Sequence, residues 1–285
     1  MSNNNIDRRN FLKVLSTGTA AASTGLLYGC GGDPKRQGVS QTGSYLGEVP
    51  TDKMTYRTNP HTGDKVSLLG YGCMRWPLRQ KADGSGEEID QEAVNALVDY
   101  AIAHGVNYFD VAPVYVRGLS EQATGLALSR HSRDKYFIAT KLSTHRPVPE
   151  WRTLEGSKGL FEQSLKNLRV DYIDYYLIHG VGLGGMDDLR KRLYDNGVLD
   201  FLLKERKAGR IRNLGWSFHG DVKVFDYLLS LDIPWDFVQI QLNYVDWKNA
   251  SGWNVNAEYL YGELEKRNIP VVIICLLYTS DAADE

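Results

Sequence analysis

Short apolar strands alternate with amphipathic helices along most of this sequence, and this alternation restricts the fold more than any other feature. Strand starts recur roughly every 25 to 40 residues, which is the spacing of βαβ units around a parallel sheet. We predict seven strands, at Gly70–Cys73, Val106–Phe109, Tyr136–Thr140, Tyr172–Ile178, Ile211–Trp216, Phe237–Leu242 and Pro270–Ile274. We predict helices between Asp90 and Gly105 and at Ser120–Leu128, Leu160–Leu168, Val198–Lys207, Asp221–Leu231 and Asn256–Lys266. Asp90 and Ser120 are expected to cap the first two helices.

This pattern favours a (β/α)8 TIM barrel over a doubly wound sheet. A doubly wound nucleotide-binding sheet carries a Gly-x-Gly-x-x-Gly turn after its first strand, and this sequence has none there. The glycine-rich segment Gly180–Gly185 follows a later strand and is predicted to open no helix. Before the barrel, Met54–Arg57 and Lys65–Leu69 flank a turn-rich segment and predict a hairpin. In such a barrel the chemistry lies at the carboxyl ends of the strands.

The carboxyl-terminal part of the sequence is shorter than a complete barrel requires. Lys65 to Ile274 spans about 210 residues, whereas a (β/α)8 barrel usually needs ~250. About seven βα units are therefore predicted within residues 53–274, with the eighth missing and residues 275–285 forming a non-native tail. The two unpaired sheet edges predict that this chain is poorly soluble, and the missing eighth unit predicts that it binds a cofactor weakly, whereas the complete gene product is predicted to be active.

The amino terminus has the charged-then-apolar order of an export signal. The pair Arg8 and Arg9 before Phe-Leu-Lys resembles the twin-arginine signal, and Leu-Tyr-Gly-Cys, which ends at Cys30, resembles a lipobox. Residues 1–30 are therefore predicted to direct export through the twin-arginine machinery to the periplasmic side. Cys30 would be the lipidated anchor to the membrane, or otherwise a cysteine beyond an ordinary cleavage site. Residues 31–52 are predicted to form a flexible linker.

Composition excludes several other classes of protein. The net charge of −2 and the predicted placement of the basic run Lys204–Arg212 at a solvated helix end argue against a nucleic-acid partner. Three scattered cysteines are too few for a disulfide framework or a zinc site, and no metal site is predicted.

Three residues that end successive strands, with a tyrosine on the loop after the second strand, predict a catalytic centre. Asp110 ends the second strand, and a carboxylate there is costly unless a cation lies nearby. Lys141, which ends the third strand, is the expected cation. A neighbouring ammonium can lower a tyrosine pKa from ~10 by about one to three units, which would make Tyr115 a proton donor near neutral pH. His179, which ends the fourth strand, can hydrogen-bond the same oxygen, so the predicted chemistry is reduction of an aldehyde or ketone.

The motifs around these residues resemble those of the aldo/keto reductase family. The matching segments are Asp110-x-Ala112-x-x-Tyr115, Gly118-x-Ser120-Glu121, Thr140-Lys141 and Ile178-His179. The resemblance covers about Met54 to Ile274. It implies a nicotinamide cofactor, usually NADPH, whose amide is held by Ser217 and Gln239, with Met74 and Arg75 as further cofactor-binding residues. The segment Gly72–Arg75 is similar to that of bacterial members that continue into a ferredoxin-type region, which would add a 4Fe-4S cluster beyond this sequence.

Two other functions remain open at this point. A cofactor-binding regulatory or electron-transfer module could use the same barrel without carbonyl reductase turnover. A barrel hydrolase could use Asp110 and His179 around a metal, although that would require further ligands at strand ends, and only His219 is a candidate. Cofactor binding that is unaffected by loss of the Tyr115 hydroxyl, without reduction, would favour the module.

Overall fold

The computed structural model describes residues 49–243, 247–248 and 257–274 of the 285-residue chain. The predicted export signal, most of the predicted linker and the predicted tail lie outside these residues. The described strands are β1 (Tyr56–Thr58), β2 (Lys65–Ser67), β3 (Tyr71–Gly72), β4 (Leu78–Gln80), β5 (Glu87–Ile89), β6 (Tyr108–Asp110), β7 (Phe137–Leu142), β8 (Ile173–Val181), β9 (Ile211–Phe218), β10 (Phe237–Gln241) and β11 (Val271–Ile274).

The helices connect and cover these strands. Those described are α1 (Gln91–Ala103), α2 (Ser120–Leu128), α3 (Leu154–Leu168), α4 (Gly185–Leu189), α5 (Val198–Lys207), α6 (Val222–Ser230) and α7 (Ala257–Lys266). A π-helical turn, Arg190–Tyr194, follows α4 directly. Among the described residues, no helix combines the length and apolar character needed to cross a membrane.

Seven of the strands form one curled parallel sheet in the order β11-β10-β9-β8-β7-β6-β3. The antiparallel pair β1 and β2 is the predicted hairpin, whereas the second pair, β4 and β5, was not predicted. Within the described part of the chain, β3 and β11 are the edges of the curled sheet. This architecture confirms the predicted incomplete (β/α)8 barrel.

Alternation along the strands separates an inner from an outer face of the sheet. On the inner face, the rings of Tyr108 and Phe237 pack edge-on against Tyr175, with ring centroids 5.2 and 5.1 Å from its own. Ala139 belongs to the same cluster. Because side chains repeat their direction every second residue, Lys141 lies on this inner face, nearer the carboxyl end of β7. The buried cluster of Tyr108, Tyr175, Phe237 and Ala139 therefore keeps water away from this part of the inner face.

Helix starts follow the capping chemistry only in part. Asp90 caps α1 as predicted, since its carboxylate accepts a hydrogen bond from the Ala93 N–H at 3.1 Å. Helix α3 begins at Leu154 rather than at the predicted Leu160. Its cap is Thr153, whose hydroxyl oxygen accepts from the Gly156 N–H at 3.0 Å. The first turns of α3 consist mainly of glycine and polar residues, so the apolar periodicity by which a helix is predicted begins only at Leu160.

Two local predictions were wrong. Ser120 is the first residue of α2 rather than its cap, and its hydroxyl donates instead to the Cys73 carbonyl oxygen at 2.6 Å. This bond ties the helix to the loop after β3, so a tertiary contact replaces the local one. The segment Gly180–Gly185 does open a helix, because α4 begins at Gly185. Its glycines adopt positive φ angles, which turn the chain sharply. The helix that follows has only five residues, which is too short for a helical period to be detected in the sequence.

Candidate active site

Asp110 and Lys141 form an ion pair between neighbouring parallel strands. Asp110 is aligned with Ala139 across β6 and β7, so the lysine extends from a position two residues further along. The lysine side chain is 2% exposed and the aspartate side chain is 16% exposed. The structure therefore places beside Asp110 the cation that its position at a strand end requires.

The Lys141 ammonium has an acceptor for each of its three N–H bonds. Besides Asp110, Nζ donates to the Val111 carbonyl oxygen and to the Tyr115 hydroxyl oxygen, both at 3.1 Å. Burial alone would lower the pKa of Lys141, but the charge of Asp110 and the contact with Tyr115 outweigh it and raise the pKa above its ordinary value. Lys141 is therefore a fixed positive charge at neutral pH.

Tyr115 is held against this ammonium by a strained turn. It opens the 3₁₀ turn Tyr115–Gly118, in which Val116 and Arg117 have φ angles of 48° and 55°. A β-branched residue with positive φ is an outlier, and such strain persists only where surrounding contacts enforce it. Nζ of Lys141 also lies 4.8 Å from the centroid of the tyrosine ring. The turn therefore returns the ring over the end of β7.

His179 faces Tyr115 from β8. The two ring centroids are 6.2 Å apart with nearly perpendicular planes. Burial is the largest cause that keeps the pKa of His179 well below its ordinary value, and the neighbouring His145 ring and Lys141 ammonium add to it, so the imidazole is neutral at pH 7. Its Nδ1 lies 2.7 Å from the Ser143 hydroxyl oxygen. If that hydroxyl donates to Nδ1, Nε2 carries the proton and can donate to a substrate oxygen.

Ser217 and Gln239 stand side by side, aligned across β9 and β10, and both are fully buried. The Ser217 hydroxyl oxygen accepts from the Gly180 N–H at 3.1 Å. Gln239 Nε2 donates to the second Asp110 carboxylate oxygen at 2.8 Å. Its Oε1 is buried and has no hydrogen-bond partner among the described residues. The structure thus joins Gln239 to Asp110, a contact that the sequence did not predict.

The remaining predicted cofactor residues, Met74 and Arg75, follow β3 at the carboxyl edge of the sheet. Met74 is half-buried and Arg75 is exposed. Sequence reasoning missed Ser143 and His145, which lie in the loop after β7. The His145 ring centroid is 4.3 Å from that of His179. No motif in the sequence marks either residue, because only the folded loop brings them to His179.

The two neighbouring histidines predict acid-sensitive folding. Burial lowers the pKa of His145 to about 3, and that of His179 is also depressed. Below about pH 6.5 the unfolded chain binds protons that the folded chain does not. The free energy of unfolding should therefore fall with falling pH, by up to about 1.4 kcal/mol per pH unit for each histidine.

Urea unfolding at pH 7 and pH 5, with His145→Gln alongside, measures this effect. The variant should lose about half of the histidine-linked pH dependence. Burial raises the pKa of Glu121, which acts in the opposite direction, but this contribution is common to both proteins. The same dependence on pH in both proteins would contradict the assignment.

Comparison with known proteins gives a consistent result. A family model described as "Aldo/keto reductase family" matches residues 68–279. Protein tas of Escherichia coli (strain K12) is 31% identical over 205 residues, which are 63% of this chain and 56% of that protein. The chain thus spans about half the length of the curated relatives it matches.

Solved structures have a similar fold. The holo form of aldo-keto reductase AKR11C1 from Bacillus halodurans is 25% identical, with a TM-score of 0.58 over 77% of this chain and 65% of that one. The Bombyx mori aldo-keto reductase AKR2E4, solved in complex with NADP, is 20% identical. Its TM-score is 0.55 over 81% of this chain and 70% of that one.

Proposed function

The chain belongs to the aldo/keto reductase family, and we propose that it reduces an aldehyde or ketone with a nicotinamide cofactor and with Tyr115 as the proton donor. One observation carries the proposal. The Tyr115 hydroxyl lies 3.1 Å from a buried ammonium, while the neutral His179 ring faces the same tyrosine. An acid and a neutral hydrogen-bond donor that converge in this way suit a carbonyl oxygen.

The proposed mechanism assigns one task to each side chain. His179 Nε2–H donates a hydrogen bond to the carbonyl oxygen and orients it. As hydride adds to the carbonyl carbon, the Tyr115 hydroxyl transfers its proton to that oxygen, and an alcohol results. The phenolate left on Tyr115 is stabilised by the Lys141 ammonium. Asp110 holds that ammonium in place, so a positive charge is already beside the hydroxyl oxygen on which the negative charge develops.

The residues present fit a nicotinamide group. Gln239 Oε1 is a buried acceptor without a partner among the described residues, and an amide N–H would satisfy it. The Ser217 hydroxyl lies at the aligned position of the next strand. When bound, the reduced cofactor supplies the hydride. NADP is our choice because the Bombyx mori relative was solved with NADP.

We also propose, on the sequence alone, that the protein is exported by the twin-arginine machinery. The support is the Arg8-Arg9 pair, with Cys30 as the candidate lipid-anchor position. Nicotinamide cofactors are made in the cytoplasm, so the protein would have to bind its cofactor before export. A route that exports folded proteins would allow this. The 4Fe-4S cluster beyond Ile274 likewise remains a prediction.

NADPH titration by quenching of intrinsic fluorescence, followed by assays on a panel of aldehydes and quinones, tests the proposed function. Both this chain and the predicted longer gene product should be used. We expect the longer product to bind NADPH and consume it with at least one carbonyl. Gln239→Leu should weaken NADPH binding by about tenfold, since it removes a buried acceptor.

Two outcomes would contradict the proposal in different ways. Cofactor binding without reduction of any carbonyl would favour the regulatory or electron-transfer module. Absence of nicotinamide binding by the longer product would remove the functional assignment and leave only the fold.

A further inference from the structure

The carboxyl end of β8 is irregular where it carries His179. Its pairing with β9 shifts register between Ile178 and Val181, and Gly180 has a φ angle of +62°. An added Cβ at Gly180 would lie 3.0 Å from the His145 ring, so the end of β8 packs closely against the loop after β7 that carries His145. Bulges of this kind redirect side chains beside active sites. The strand end therefore needs support other than regular sheet pairing.

A fully buried arginine supplies that support. The Arg192 side chain is 0% exposed and lies in the π-helical turn after α4. Its Nη1 donates to the His179 carbonyl oxygen at 3.0 Å, and its Nη2 donates to the Gly180 carbonyl oxygen at 2.9 Å. The planar guanidinium thus holds two successive carbonyls in one orientation. Isolated π-helical turns are frequent at functional sites.

A second arginine holds the neighbouring loop. Arg152 Nη2 donates to the His145 carbonyl oxygen at 3.2 Å, and Nε donates to the Arg146 carbonyl oxygen at 3.3 Å. Asp188 joins the two arginines, because its Oδ1 lies 2.8 Å from Arg152 Nη1 and its Oδ2 lies 2.9 Å from Arg192 Nε. A buried guanidinium that loses its carboxylate is strongly destabilised, so the Arg192 contacts depend on Asp188, whereas Arg152, whose side chain is 28% exposed, depends on it less.

We propose that Asp188 is a positioning residue which, through Arg192 and Arg152, holds the backbone that carries His179 and His145 at the active site. We name the three charged side chains, Asp188, Arg152 and Arg192, the Asp188 clamp. The clamp touches neither Tyr115 nor Lys141 through any of the hydrogen bonds described above. Its consequence for catalysis rests on the proposed function, whereas its effect on the histidine rings does not.

Imidazole ¹H–¹⁵N correlation spectra test the clamp directly. The chain has six histidines, so its ring signals can be assigned by single substitution. In the unaltered chain, we expect His179 to show one neutral tautomer, set by its contact with Ser143. In Asp188→Asn, the ring should leave Ser143, and its two nitrogen shifts should move toward each other. Unchanged His179 signals in the folded variant would overturn the proposal.

Asp187→Asn is the matched control. Asp187 is exposed on the same helix, so the substitution removes the same charge without touching the clamp. The same change in Asp187→Asn would also overturn the proposal, because a general effect of charge on α4 would then explain it. If Asp188→Asn fails to fold, Arg152→Met tests the more exposed arm. That variant should shift the His145 signals more than those of His179, whose backbone carbonyl Arg192 still holds, and unchanged His145 signals would count against the clamp.

Measuring kcat distinguishes a failure of this inference from a failure of the proposed function. In the longer gene product, Asp188→Asn should lower kcat about 10- to 100-fold, since a small misplacement of a catalytic group is costly. The dissociation constant for NADPH should rise by a smaller factor than kcat falls, because Gln239 lies on another strand and Ser217 meets the clamped backbone through the Gly180 N–H. Altered ring signals in a protein that reduces no carbonyl would support the clamp and remove the proposed function. Altered signals with unchanged kcat would remove the catalytic role of the clamp.

Discussion

Replacing Tyr115 by phenylalanine should lower kcat for carbonyl reduction by about 10²- to 10⁴-fold, the usual contribution of a positioned general acid. The substitution removes the hydroxyl that lies 3.1 Å from the Lys141 ammonium and leaves the ring. The contact of the ring with the ammonium and its perpendicular packing against His179 do not need the hydroxyl. Binding of NADPH should therefore be unchanged. The measurement is steady-state kinetics with a fluorescence titration of NADPH on the same preparations.

Tyr71→Phe is the matched control for this prediction. Tyr71 lies on β3 in the same sheet, and its ring stacks on Trp76 with centroids 5.3 Å apart. Loss of its hydroxyl should leave kcat within about twofold of the unaltered protein. Equal activity of Tyr115→Phe and the parent would exclude Tyr115 as proton donor. Equal loss in both variants would indicate damage to the fold.

Replacing Asp174 by alanine should lower the free energy of unfolding by about 3 kcal/mol, because it breaks a buried charge network. The Asp174 side chain is 1% exposed and pairs with Arg133 and Arg212. It also accepts the Ile138 N–H at 2.9 Å, which ties β8 to β7 at the end of the sheet opposite the site. Alanine would leave that N–H unpaired. Both arginines are partly exposed, so water can solvate them in the variant and limit the loss of free energy of unfolding.

Urea denaturation measures this change, and Asp171→Ala provides the control. Asp171 is exposed two residues before β8, so its loss should change the free energy of unfolding by less than about 0.5 kcal/mol. Because the network lies at the end of the sheet opposite the site, NADPH binding by the folded variant should be unaltered. A loss of less than about 1 kcal/mol in Asp174→Ala would show that the network contributes little.

Much of the fold could be predicted because its signals are local. The apolar runs that became β7, β8 and β10 appear directly in the sequence, and the Asp90 cap needs only residues three positions apart. Ser120 shows where this reasoning fails, since its hydroxyl bonds to Cys73, which lies 47 residues earlier. A capping residue and a residue that bonds across the fold are the same type of side chain in the sequence.

The predicted site residues are likewise divided between local and tertiary information. Asp110, Lys141 and His179 could be grouped because parallel strands end on the same edge of a sheet. Sequence spacing could not show that Gln239 would donate to Asp110, because 129 residues separate them. Nor could it show that Asp188 would pair with two arginines from different segments.

The sequence by itself therefore determined the barrel class, the residue types at the strand ends and the order of strands and helices apart from the β4–β5 pair and α4. It did so because periodicity and turn chemistry act over a few residues. Only the tertiary structure decided which atoms meet: the acceptors of the Lys141 ammonium, the neutral state of His179 and the buried contacts of Arg192. These depend on desolvation and on distances of a few ångströms between segments far apart in the chain, which no local pattern encodes.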